Sequence, residues 1–131
     1  MRGKNFSFFL EKSLDIISFF SELSQGQNNS ISIFELQNLL AEKNGLGLTT
    51  LSKLLYFFEV KIGNEACLIL DKRVLLALNK DRIRKLYSFK SAPSKTPAFY
   101  LIYIAKTNAL ATNMKIKADK IEYYMFTHFK D

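Results

Sequence analysis

Apolar residues recur every three or four positions along most of the chain, the spacing typical of amphipathic helices. The clearest stripes predict helices over about residues 6–23, 33–43, 50–58, 99–110 and 121–129. A shorter apolar run, Val74–Leu78, and a basic segment at 81–89 indicate further helical turns. The pattern therefore predicts an all-α protein, a single helical bundle of about six helices.

Residues that favour helix ends support these boundaries. Ser32 and Glu35 have the spacing of a capping box, and Thr49 or Thr50 is expected to be the N-cap of the third helix. Asp71 stands in the N-cap position before the run at 74–78. Residues 59–65 are predicted to be a turn, 66–70 are too short a run to assign, and 91–97 are predicted to be a loop because they contain both prolines.

The length of 131 residues fits one domain, which we expect to span residues 1–131. A single cysteine, Cys67, excludes an internal disulfide framework, and with one histidine no metal or other cofactor is expected. No apolar run approaches the length of a membrane span, so no membrane partner is expected. Charged residues interrupt the apolar N-terminal segment, which argues against a signal peptide and favours a cytoplasmic, nucleoid-associated protein.

The positive charge is concentrated in one part of the chain. Residues 71–95 carry six of the seven net positive charges of the protein. A local basic cluster is typical of proteins that bind the phosphate backbone of double-stranded DNA, although a solvated basic face or an acidic protein partner would also account for it. The candidate phosphate-binding residues in this stretch are Lys72, Arg73, Arg82, Arg84 and Lys85.

Two helices joined by a Gly-x-Gly turn, at about residues 32–58, have the outline of a helix-hairpin-helix motif. Gly45 and Gly47 would let the backbone approach a phosphate, and the N–H groups at Thr49 and Thr50 would point toward the anion. Such contacts position DNA without reading its sequence. Ordinary helical hairpins also turn on glycine, so the motif alone leaves the function open.

The sequence after this turn, Thr50-Leu51-Ser52-Lys53-Leu54-Leu55-Tyr56-Phe57-Phe58 followed by Cys67-Leu68-Ile69-Leu70-Asp71-Lys72-Arg73-Val74, resembles bacterial 8-oxoguanine DNA glycosylase proteins of the OGG fold, in the helix-hairpin-helix glycosylase superfamily. The resemblance covers about residues 36–79 and 97–129, and includes Lys120-Ile121-Glu122-Tyr123-Tyr124-Met125-Phe126 near the end. It implies that Lys53 is the nucleophile and Asp71 the second catalytic group. The implied reaction removes an oxidised purine through a lysine Schiff base.

The short chain before the hairpin leaves other functions open. Only about 35 residues precede the hairpin, so the base pocket is expected to be reduced, to be open, or to be supplied by a protein partner. A non-catalytic helix-hairpin-helix module that binds DNA, or a helical interaction protein of a bacterial repair or defence system, would keep the same helices and basic stretch without the reaction.

Overall fold

In a computed structural model of the protein, residues 18, 21, 22, 29–41 and 47–128 are described. Within them the chain forms six helices and three short strands. The helices are α1 (Ile33–Ala41), α2 (Leu48–Phe57), α3 (Lys72–Leu78), α4 (Asp81–Tyr87), α5 (Pro97–Met114) and α6 (Ala118–His128). The strands are β1 (Ser30–Ile31), β2 (Lys61–Ile62) and β3 (Glu65–Ala66).

Local side-chain chemistry fixes several of the helix starts. The capping box predicted before α1 is confirmed, because Ser32 N–H donates to Glu35 Oε1 at 3.0 Å and Glu35 N–H donates to Ser32 Oγ at 3.1 Å. Asp71 is confirmed as the N-cap of α3. At α5, Thr96 Oγ1 accepts the Phe99 N–H at 3.2 Å, and Pro97 occupies the first turn, where a missing N–H costs nothing.

The N-cap predicted for α2 is wrong. Gly47, not Thr49 or Thr50, has the extended backbone of an N-cap, and its carbonyl oxygen accepts the Leu51 N–H at 3.1 Å. Both threonines therefore lie in the first helical turn, where they are half-buried. Among the described residues the buried Thr49 hydroxyl oxygen has no hydrogen-bond partner, whereas a capping hydroxyl would accept a backbone N–H.

The all-α prediction is also wrong in one respect, because a small mixed sheet accompanies the helices. Strand β1 pairs parallel with β2, which pairs antiparallel with β3 through a turn at Gly63, where φ is +62°. The segment 59–65, which was predicted to be a turn, contains the two-residue strand β2. Burial alternates through Val60, Lys61 and Ile62, but three alternating positions are too few to identify a strand from the sequence.

One hydrophobic core joins the helices and the sheet. Helix α5 packs against α1, β3 and α6, and α3 packs against α4 and α6. The residues that α5 buries are Phe99, Tyr100, Tyr103, Ile104, Thr107 and Ala111. Two of these side chains are tyrosines whose hydroxyl groups reach the segment that precedes α3.

The helix predicted over 6–23 lies almost entirely outside the described residues, although positions 18, 21 and 22 are helical. Helices α1 and α2 follow one another as a helix-hairpin-helix requires. Residues 42–46, including Gly45, lie outside the described part of the chain. The hairpin itself therefore stays a prediction.

Candidate active site

The segment 67–70, which connects β3 to Asp71, is held at its start by the Cys67 N–H, which donates to the Val60 carbonyl at 3.0 Å, and further along by side chains. Leu68 N–H donates to the Tyr100 hydroxyl at 3.2 Å, and that hydroxyl donates to the Leu68 carbonyl at 2.6 Å. Ile69 N–H donates to Glu122 Oε2 at 2.6 Å. Leu70 N–H donates to Ser52 Oγ at 3.0 Å. Helices α2, α5 and α6 thus each contribute a polar side chain that fixes this segment and, with it, the position of Asp71.

Asp71 is half-buried at the start of α3. Its Oδ1 accepts the Val74 N–H at 2.9 Å, the hydrogen bond of an N-cap. The positive end of the helix dipole favours a negative charge at this position. The side chain also lines a cavity, so it can meet a bound molecule while it caps the helix.

Lys53 lies on the exposed side of α2, one residue after the fully buried Ser52. Because Ser52 is bonded to Leu70, a single hydrogen bond joins the residues that directly precede Lys53 and Asp71. Lys53 is not among the described residues that line the cavity. Tyr56, one helical turn later, does line it, and positions three apart share a helix face. The backbone therefore brings the two predicted catalytic residues into one neighbourhood, with Lys53 on the solvent side.

The cavity beside Asp71 has a volume of about 430 Å³. Its polar lining consists of carboxyl, aromatic and basic side chains from α2, α6 and the N-cap of α3. The lining residues are Tyr56, Ile69, Asp71, Val74, Asp119, Lys120, Glu122 and Tyr123. The Tyr56 hydroxyl donates to Asp119 Oδ2 at 3.1 Å, which ties α2 to α6 across the cavity. Burial, followed by this hydrogen bond, raises the pKa of Tyr56.

Glu122 is a cavity residue that the sequence did not reveal as chemically distinct. Its side chain is only 8% exposed, and its Oε2 also receives a long hydrogen bond of 3.5 Å from the Tyr103 hydroxyl. Burial raises the pKa of Glu122 to about 7, with the nearby Asp71 and Asp119 carboxyl groups adding to the shift. The sequence signal for Glu122 is weak. It is an acidic residue one helical turn after Ala118, so the two residues share the face of α6 that packs inward.

The hairpin residues predicted to bind phosphate are only partly described. Gly47 is exposed and extended just before α2, and Thr49 and Thr50 are half-buried in its first turn. The Thr49 carbonyl accepts a hydrogen bond from the Ser52 hydroxyl at 2.9 Å, which couples this end of α2 to the residue that holds Leu70. Gly45 lies outside the described residues.

The basic residues singled out from the sequence are exposed. Lys72 and Arg73 follow Asp71 directly in α3, and the rest lie on α4, the helix that packs against α3. The exposed basic residues of α4 are Arg82, Arg84 and Lys85, and Asp81 and Leu86 are exposed beside them. An exposed basic surface thus lies on the two helices that follow the candidate catalytic carboxylate.

In the described part of the chain, no helix combines the length and the apolar character that crossing a bilayer demands. Within the same residues, no three His, Cys, Asp or Glu side chains are grouped so as to hold a metal ion.

One family model matches most of the chain. Its description is "Putative 8-oxoguanine DNA glycosylase OGG-like protein", and the match covers residues 27–126. Neither a curated protein nor a solved structure matches the chain. The matched range contains Lys53 and Asp71, the three helical side chains Ser52, Tyr100 and Glu122 that hold the 67–70 segment, and the residues that line the cavity.

Proposed function

The chain belongs to the OGG-like family of 8-oxoguanine DNA glycosylase proteins, and from that premise we propose that it excises an oxidised purine from double-stranded DNA and cleaves the resulting abasic site. Lys53 is the nucleophile and Asp71 the supporting carboxylate. The observation that carries this proposal is the hydrogen bond from Leu70 N–H to Ser52 Oγ, because it links the residues beside the two candidates.

The proposed reaction gives different roles to the exposed Lys53 and the half-buried Asp71. The Lys53 amine attacks C1′ of the damaged nucleotide and, after loss of the base, forms a Schiff base with the opened sugar. The half-buried Asp71 carboxylate stabilises the positive charge that develops on the sugar. The nucleotide must first leave the helical stack, at a cost of a few kcal/mol. The cavity beside Asp71, with Tyr56 and Tyr123 in its lining, is the proposed place for the extruded nucleotide.

Borohydride trapping tests the reaction directly. Reduction of the Schiff base should join the protein covalently to duplexes that contain 8-oxoguanine or an abasic site. Lys53→Gln should abolish trapping, and Lys61→Gln, which removes an exposed lysine from β2, should not. If wild-type protein is not trapped, or if Lys53→Gln is trapped equally well, the enzymatic proposal is wrong.

A second candidate function is a DNA-binding module without catalysis, which the exposed basic residues of α3 and α4 favour. It requires salt-sensitive binding that is indifferent to sequence and that survives Lys53→Gln and Asp71→Asn. Absence of DNA binding at low salt, together with a stable protein complex, would instead support a helical interaction protein. A partner that completes the base pocket and a cytoplasmic, nucleoid-associated location are further parts of the proposal.

A further inference from the structure

Two carboxyl groups with different surroundings share the cavity. Asp71 is half-buried and accepts the Val74 N–H at the start of a helix. Glu122 is buried on α6, and its Oε2 accepts the Ile69 N–H. Ile69 is two residues before Asp71, so the same short segment carries one carboxylate and is held by the other carboxyl group.

The surroundings of Glu122 favour its protonated form. Burial raises its pKa most, the Asp71 and Asp119 carboxyl groups raise it further, and the hydrogen bonds from Ile69 and Tyr103 lower it. Among the described residues, the charged and titratable groups around it come from five helices or their N-caps. They are Asp71 before α3, Tyr56 on α2, Tyr87 on α4, Tyr100 and Tyr103 on α5, and Asp119 and Lys120 on its own helix. When their surroundings move the pKa values of two neighbouring carboxyl groups apart, one group can act as an acid while the other stays ionised.

Resting on the proposed function, we infer that Glu122 is a further catalytic residue, the acid that protonates the departing purine, while Asp71 remains the carboxylate that supports the sugar. As the neutral Lys53 amine forms a bond to C1′, the bond from C1′ to the purine nitrogen breaks and its electron pair leaves with the base. The base takes the proton of Glu122 and departs neutral. The new positive charge on the Lys53 nitrogen balances the negative charge left on Glu122.

Glu122→Gln separates this role from the structural one. Glutamine keeps an oxygen that can accept the Ile69 N–H, but its amide is not an acid at neutral pH. Base release from an 8-oxoguanine duplex should fall about 100-fold or more in single-turnover assays. Schiff-base trapping on an abasic duplex, which has no base to release, should persist. Glu65→Gln is the matched control: this half-buried glutamate on β3 accepts a hydrogen bond from Asn108 and is not among the described lining residues, so both reactions should stay unchanged.

The pH profile provides a second test that does not need the variant to fold. In the wild-type protein, the rate of base release divided by the rate of Schiff-base trapping on an abasic duplex should decline as pH rises through about 7, because the acid form of Glu122 is consumed while both reactions use the same Lys53 amine. A profile without that decline would overturn the inference. If Glu122→Gln folds, two results would also overturn the inference. One is base release by the variant at the wild-type rate, and the other is an equal loss of base release and of Schiff-base trapping. Wild-type protein that fails to trap on the abasic duplex would refute the proposed function itself, and the role of Glu122 with it.

Discussion

Leu70 N–H donates a hydrogen bond to Ser52 Oγ at 3.0 Å in the interior of the protein. Ser52 is fully buried on α2, and its hydroxyl donates in turn to the Thr49 carbonyl at 2.9 Å. Its neighbour Lys53 points to the exposed side of the helix, while the neighbour of Leu70 is Asp71. This short chain of hydrogen bonds therefore connects the start of α2 with both candidate catalytic residues.

Replacement of Ser52 by alanine should destabilise the protein and weaken the reaction. The Leu70 N–H would be left buried without a partner, at a cost of about 1–3 kcal/mol in the free energy of unfolding. Urea denaturation measures this loss. Ser94→Ala is the control, because the Ser94 hydroxyl bonds to Thr96 in an exposed loop and its removal should change stability by no more than about 0.5 kcal/mol. Equal stability of the two variants would contradict the role of Ser52.

Asp71→Asn and Asp71→Ala should separate the capping role from the catalytic one. Asparagine caps helices about as well as aspartate, so the first variant should keep nearly wild-type stability but lose Schiff-base formation together with the negative charge. Alanine removes the cap as well and should cost a further ~1 kcal/mol. Thermal denaturation and trapping yields measure the two effects. An Asp71→Asn variant with wild-type trapping would show that the residue is a cap and nothing more.

Glu122 should make stability depend on pH in an unusual direction for a carboxyl group. Its pKa is about 7 in the folded protein, above the ordinary glutamate value of 4.5, so the folded state holds the proton more tightly. Its contribution is fully present below about pH 4.5 and is lost as pH rises through about 7, up to ~3 kcal/mol in total. Glu122→Gln should therefore be more stable, relative to wild type, at pH 8 than at pH 5. A stability difference that is independent of pH would contradict this expectation.

The exposed basic residues of α4 should control DNA affinity through phosphate contacts. Arg84→Gln and Lys85→Gln should each weaken binding to any duplex sequence. Each lost phosphate contact should make the slope of log Kobs against log salt concentration shallower by about 0.9. Lys61→Gln, an exposed lysine on β2, provides the control and should leave the slope unchanged. Unchanged binding by both α4 variants would place the DNA elsewhere.

The sequence predicted those features that depend on neighbouring residues. The capping box of Ser32 and Glu35 and the cap at Asp71 follow from side-chain chemistry over three positions, and both are present. The start of α2 was predicted incorrectly because threonine and glycine are about equally good N-caps, so local preference does not choose between Gly47 and Thr49 or Thr50.

The candidate site was predictable only in part, because its remaining contacts span long distances along the chain. Lys53 and Asp71 were selected from a family resemblance. The burial of Glu122, by contrast, arises where α6 meets Ile69, which lies 53 positions earlier in the sequence. No local pattern encodes such a contact, and the amphipathic stripe of α6 gives an acid on its buried face no particular role. The small sheet was also not predicted, because its parallel pairing joins residues that are distant in the sequence, such as Ser30 and Lys61.

The identity of the nucleophile is tested most directly by locating the covalent bond to DNA. Wild-type protein would be reduced with borohydride on an abasic duplex, digested with a protease, and its peptides identified by mass spectrometry. The account predicts that the deoxyribose adduct lies on Lys53. An adduct on another lysine, or none at all, would contradict it.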